Sequence, residues 1–118
     1  MEYLNYLLVV LLIFFLVQHL LPAKGVRQIS TTDLKKELKD KTKQLIDVRT
    51  FEEFTTNHIR GFKNIPLNQI LQKANELSKD KEVVLICQSG MRSNKGSKIF
   101  KKLGFKHVTN VRGGMRVW

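Results

Sequence analysis

A single cysteine stands in this chain of 118 residues, and its neighbours are of the kinds that make a thiol reactive. Cys87 follows Val83-Val84-Leu85-Ile86 and opens the polar segment Gln88-Ser89-Gly90-Met91-Arg92-Ser93. Four apolar, mostly β-branched residues read as a buried strand. Beyond Arg92 the spacing of Ile99, Phe100 and Leu103 turns helical, so the polar segment joins the carboxyl end of a strand to the amino end of a helix. Such a junction is an anion site. Free N–H groups and the positive end of the helix dipole face the loop, and Ser89 and Gly90 let the backbone curl there. A thiol so placed favours its thiolate, the nucleophilic form. The plainer reading makes Cys87 a small buried hydrophobe. That role needs no Ser-Gly turn, no arginine five residues on and no helix start, yet all three are present.

The elements that must hold this loop alternate between strand and helix. Val26 to Ile29 reads as an edge strand, and Ser30 caps a short surface helix with Asp33 at its third position and Leu34 and Leu38 on one face. Gln44 to Val48 reads as a strand, Phe51 to Phe54 as a helical turn, and Lys63 to Ile65 as a brief strand. A helix is predicted over about Leu67 to Ser78, with Leu67, Ile70, Leu71, Ala74 and Leu77 as its apolar stripe. The central strand and the helix ending near Leu103-Gly104 follow, then a strand from about His107 to Val111 and a last helical turn after Gly113-Gly114. This order predicts an α/β fold, a mainly parallel sheet covered on both faces, with its ligand at the carboxyl ends of the strands. Cys87 falls at such an end. Asp47 and Arg49 straddle Val48, so their side chains leave one face and can brace neighbouring loops through charge-assisted hydrogen bonds. Gly61, Asn64 and Pro66 read as turn chemistry, and Gly113-Gly114 as a bend that closes the last segment over the sheet.

Four motifs in order carry a family resemblance over roughly residues 26 to 118. Cys87-Gln88-Ser89-Gly90-Met91-Arg92-Ser93 resembles the active-site loop of single-domain bacterial rhodaneses, which are sulfurtransferases. Leu45-Ile46-Asp47-Val48-Arg49 resembles the family's first signature. Glu53-Phe54 with His58-Ile59-Arg60-Gly61 and Asn64-Ile65-Pro66 resembles the second, and Asn110-Val111-Arg112-Gly113-Gly114 with Trp118 the last. The resemblance implies a rhodanese-like domain with a five-stranded sheet. It also implies that Cys87 takes a sulfane sulfur from a small anionic donor such as thiosulfate, holds it as a persulfide and passes it to cyanide or a thiol. Gln88, Ser89, Gly90 and Met91 would form the cradle, with Gln88 and Met91 tuning access. Arg92 would orient the donor or clamp the loop. Asp47, Arg49, His58 and Ser93 are supporting residues, His58 as a hydrogen-bonded structural histidine. No metal or organic cofactor is implied. Phe51 stands where the family commonly has proline, and Phe62 where alanine is usual.

Two other functions compete. Phosphatases and arsenate reductases of related fold use a cysteine loop for phosphate-sized anions, but space the arginine six positions after the cysteine. Here Arg92 is five after, and Ser93 takes the sixth place. A membrane-tethered binding or regulatory module without turnover is the second, and in this family such modules usually lack the cysteine.

Composition sets the remaining bounds. One cysteine excludes an intrachain disulfide framework and a cysteine zinc cluster, and a reducing compartment suits it best. From Leu7 to Val17 every residue is apolar, and the run between Tyr3 and Leu21, about 18 to 20 residues, is long enough to span a bilayer. No lysine or arginine precedes it and no small-x-small cleavage site follows, so residues 1–23 read as an uncleaved anchor and 24–118 as one domain. Lysine and arginine outnumber acidic residues 21 to 10, and all the basic residues follow the apolar run. That asymmetry predicts a domain on the cytoplasmic side, with Lys24 and Arg27 beside anionic headgroups. Nucleic-acid binding is not indicated, since no basic stripe is interleaved with aromatics.

Overall fold

The computed structural model describes residues 2–118. Ten regular elements follow in chain order: helix α1 (Glu2–Leu20), strand β1 (Val26–Ile29), α2 (Thr31–Glu37), β2 (Gln44–Asp47), α3 (Phe51–Thr56), β3 (Lys63–Asn64), α4 (Ile70–Lys73), β4 (Val83–Ile86), α5 (Met91–Lys102) and β5 (Val108–Val111). The strands form one five-stranded sheet in the order β1-β5-β4-β2-β3, and every pairing is parallel. The expected α/β architecture is therefore present, and wholly rather than mainly parallel.

β4 is the most enclosed strand because it is apolar on both faces. Val83 and Leu85 enter a cluster with Ile46, Ile70, Phe100 and Phe105, covered by α4 and α5. Val84 and Ile86 enter the opposite one with Leu34, Ile59, Phe62 and Val111, covered by α2 and the segment after α3. Both short helices on that second side start with a reciprocal cap. Ser30 exchanges hydrogen bonds with Asp33, as its spacing predicts, and Thr50 does the same with Glu53. At the amino ends of the strands, Arg27 bonds Glu37 and Glu82, and Lys43 bonds the same two carboxylates. Arg27 is thus ion-paired within the domain.

One expected element is corrected. The helix predicted over Leu67 to Ser78 is a single α-helical turn, α4, between 3₁₀ turns at Leu67–Gln69 and Ala74–Glu76. Tightening toward three residues per turn keeps Leu67, Ile70, Ala74 and Leu77, spaced three or four apart, on the core. Leu71 is rotated outward and is 73% exposed, so it leaves the predicted stripe.

α1 is 19 residues long, apolar throughout its middle, and has no buried residue. At 1.5 Å per residue its length of about 28 Å nearly matches a hydrocarbon core of about 30 Å. It is one N-terminal helix long and apolar enough to cross a membrane.

Candidate active site

The backbone turns sharply where β4 ends. Cys87 leaves the sheet at its carboxyl edge, Gly90 takes a left-handed conformation at φ 101°, and α5 begins at Met91. A side chain on Gly90 would be strained there, and its Cβ would also approach Gly113 N to 3.3 Å. Within this turn the Gly90 N–H donates to Cys87 Sγ at 3.0 Å. The thiol in turn points at Ser93 Oγ, 3.3 Å away, and the Ser93 hydroxyl donates to the Gly90 carbonyl at 3.1 Å. Cys87, Gly90 and Ser93 therefore form a closed hydrogen-bonded ring at the amino end of a twelve-residue helix. Such a ring can hold negative charge on sulfur. Among the described residues one main-chain donor reaches the sulfur, fewer than the full cradle of loop amides the sequence suggested. Cys87 itself is fully buried.

The rest of the loop divides between two cavities. Ser89, Gly90 and Met91 line one of about 250 Å³ together with Leu20 and Pro22 of the amino-terminal segment and with Gln28, Asn110 and Arg112 at the ends of β1 and β5. Gln88 lines another with Arg49, Glu53 and Asn57.

Arg92 takes the clamping alternative. Its two terminal nitrogens bond both carboxylate oxygens of Glu53, at 2.5 and 2.9 Å, and so tie α5 to α3. These bonds hold the Glu53 carboxyl down to about 2, against the opposing pull of partial burial. The same bonds raise the already high pKa of Arg92.

Asp47 and Arg49 are both buried and pair through Nε and Nη2 to the two carboxylate oxygens, with the Arg49 N–H also on Asp47. Arg49 donates further to the Asn57 carbonyl at 2.6 Å, and Asn64 spans the Asp47 and Arg49 carbonyls. The pair braces the ends of α3 and β3, as its spacing predicts. His58 stacks on Phe54 at 3.9 Å and bonds the Phe54 carbonyl through Nδ1 at 2.8 Å, away from Cys87.

Several contributors were missed in the sequence. Met115 and Arg116 donate their main-chain N–H groups to the carbonyls of Cys87 and Gln88 at 2.8 and 2.9 Å, so the turn Gly114–Val117 backs the loop. Asn94, one turn into α5, accepts from Ala23 N and donates to the Leu21 carbonyl, which fastens the segment after α1 beside the loop. No local pattern announces either contact, because each joins segments far apart in the chain.

The model of the rhodanese-like domain matches residues 30–118. The putative sulfurtransferase YtwF of Bacillus subtilis is 44% identical over 94 residues, covering 79% of this chain and 90% of that one. The putative sulfur carrier protein YrkF of the same organism is 40% identical over 97 residues, 81% of this chain; the match spans about half, 52%, of that protein's length. The crystal structure of a rhodanese-like domain protein from Staphylococcus aureus superposes with a TM-score of 0.73 at 34% identity, covering 79% of this chain and 91% of that one.

Proposed function

The chain belongs to the rhodanese-like family, and on that premise we propose that it moves a sulfane sulfur from thiosulfate or a related persulfide donor to a thiophilic acceptor, cyanide or a thiol, through a persulfide on Cys87. The carrying observation is the Gly90 N–H directed at Cys87 Sγ at the head of α5. A thiolate there is stabilised by that donor, by the helix dipole and by a Ser93 hydroxyl free to turn from the Gly90 carbonyl toward sulfur. The thiolate attacks the outer sulfur of thiosulfate; a new S–S bond forms on Cys87 as the old one breaks, and sulfite leaves with the electron pair. An acceptor nucleophile then takes the outer sulfur and returns Cys87 to thiolate, giving two-step kinetics with a covalent intermediate.

The alternative of a phosphatase or arsenate reductase is disfavoured by Arg92. A phosphate-sized trianion or dianion needs a guanidinium turned into the loop, whereas both terminal nitrogens of Arg92 are on Glu53. The burial of Cys87 also favours a slender donor over a bulky ester. The tethered module without turnover is disfavoured by the intact ring around the thiol.

We read α1 as an uncleaved anchor, residues 1–23, with the domain of residues 24–118 on the cytoplasmic side. The basic excess confined to residues after α1 supports that side. The deciding experiment is a parallel assay with thiosulfate and with a phosphate ester: sulfite release with cyanide present supports sulfur transfer, and phosphate release without it rejects it.

A further inference from the structure

The amino-terminal helix and the exposed apolar side chains of the domain meet at one end of the molecule. The chain measures 58 × 29 × 26 Å, and α1, about 28 Å long with no buried residue, stands out from the domain along the long axis. Its last residues, His19 and Leu20, share the walls of the 250 Å³ cavity with Ser89, Gly90, Met91 and Arg112, all at the carboxyl edge of the sheet. The linker alone does not require that end. β1 starts at the opposite edge, and residues 21–25, if slack, would reach up to about 17 Å, more than the roughly 13 Å that β1 spans. Asn94 decides. One turn into α5, it accepts from the Ala23 N–H at 3.1 Å and donates to the Leu21 carbonyl at 3.0 Å, and Ala23 is buried.

Beyond residue 21, the large apolar side chains left exposed among the described residues are Phe51, Leu71, Met91, Val117 and Trp118. All but Leu71 follow the carboxyl end of a strand: Phe51 after β2, Met91 after β4, Val117 and Trp118 after β5. Singly such groups are ordinary on a protein surface. Four at one end, beside a helix long and apolar enough to cross a bilayer, point to a contact. Charge agrees. Arg112 and Arg116 are exposed at this end and pair with no carboxylate among the described residues. The acidic groups there are mostly engaged, Asp47 on Arg49, Glu53 on Arg92 and Asp33 in the cap with Ser30; Glu52, on α3 beyond β2, is the exception.

We propose that the carboxyl edge of the sheet docks on an anionic bilayer surface, with Arg112 and Arg116 against lipid phosphates and Met91, Val117 and Trp118 in the headgroup layer. The proposal rests on the reading of α1 as a membrane anchor. That layer adds roughly 5–8 Å to each side of the hydrocarbon, enough to take in side chains that border the last turn of α1. Tryptophan suits its half-apolar surroundings, and arginine its phosphates. The loop that carries Cys87 also carries Met91, so the dock holds that loop at the lipid surface. Asn94 sets the orientation: without its two bonds the anchor could leave from either edge of the sheet.

Trp118 is the chain's one tryptophan and reports the contact directly. The full chain is placed in nanodiscs of phosphatidylcholine, with and without phosphatidylglycerol, and Trp118 fluorescence is quenched by a nitroxide on the lipid headgroup. Quenching should be strong in the anionic discs and weaker in the zwitterionic ones. A probe at the opposite edge, made by His107→Trp with Trp118→Phe at an exposed position before β5, should be quenched little in either. Arg112→Gln and Arg116→Gln should each lower the docked-to-undocked ratio in anionic discs about fivefold, the scale of one basic residue at such a surface. Asn94→Ala, which frees the linker, should lower the quenching while the chain stays in the disc. Trp118 quenched no more than the probe at position 107, in discs that hold the chain, would overturn the docked face and leave the anchor standing. Quenching indifferent to both arginine variants would overturn the anionic surface as its partner. A chain that elutes apart from the discs would overturn the anchor reading and the docking with it.

Discussion

Met115 donates its main-chain N–H to the carbonyl of Cys87 at 2.8 Å, so the last turn of the chain is fastened to the residue at the centre of the site. That approach is close enough that a Cβ on Gly114 would overlap the Cys87 carbonyl, and Gly114 also sits at φ 62°. Gly114→Ala should therefore cost about 2 kcal/mol through overpacking and backbone strain. Because the displaced atoms belong to the loop, sulfur transfer should fall further than the melting temperature suggests. Comparing kcat/KM for thiosulfate with thermal unfolding of the same variant checks this; full activity at lowered stability would contradict it.

Cys87→Ser should abolish sulfur loading and leave the fold in place. The hydroxyl is smaller than the thiol but inherits partners on both sides, Gly90 N–H and Ser93 Oγ, so no buried polar group is orphaned and the cost should stay near 1 kcal/mol. Intact mass after incubation with thiosulfate should show one added sulfur atom in the wild type and none in the variant. An adduct retained by the variant would reject Cys87 as the carrier.

The clamp between Glu53 and Arg92 makes a pH-dependent contribution. The Glu53 carboxyl, ordinarily near 4.5, is held at about 2 in the folded protein, first by its bonds from Arg92. A depressed carboxyl favours the folded state fully above its unfolded value and loses that contribution as pH falls toward the folded one. The stability gap between wild type and Glu53→Gln should be constant above about pH 5 and close progressively toward about pH 2. Glutamine keeps the cap to Thr50, and Glu37, held at about 2 by Arg27, behaves alike in both proteins, so the difference isolates Glu53. Urea unfolding across this range is the measurement, and a gap that does not narrow in acid would show the clamp to be inert.

The legible parts of the site are those set by local spacing. Asp47 and Arg49 lie two apart on an extended backbone, so their pairing could be read from the letters, as could the Ser30–Asp33 cap. Thr50-Phe51-Glu52-Glu53 carries the same capping signal in its letters. The partner of Arg92 was not legible at all. Glu53 lies 39 residues away, and whether a guanidinium turns into a loop or out to a carboxylate is decided by tertiary packing. The same holds for Gln28 and Asn110, 82 residues apart and brought together only by strand order. Periodicity misjudged Leu71 because it assumes 3.6 residues per turn, and the segment from Leu67 to Glu76 winds more tightly at both ends.

The buried pair of Asp47 and Arg49 braces the site, Arg49 lining the cavity that Gln88 shares, and its removal should show whether that bracing bears on the chemistry. Arg49 is almost fully enclosed, with Asp47 as its only ion-pair partner among the described residues and the Asn57 carbonyl as a second acceptor. Asp47→Asn keeps the shape but leaves a guanidinium out of water with no balancing charge, a change that typically costs 3–5 kcal/mol, so a loss of about 3 kcal/mol is expected here. Against the ~5–15 kcal/mol that holds a domain folded, that is a large share. The double variant Asp47→Asn, Arg49→Met removes the stranded charge as well and should recover part of the loss, which a simple sum of two damaged positions would not do. Sulfur loading per folded molecule should stay near wild type in each variant, because neither side chain reaches Cys87. Denaturant unfolding of the four proteins of this cycle, with loading measured alongside, tests both halves. A variant that keeps its stability but no longer loads sulfur would move the pair from bracing into the chemistry.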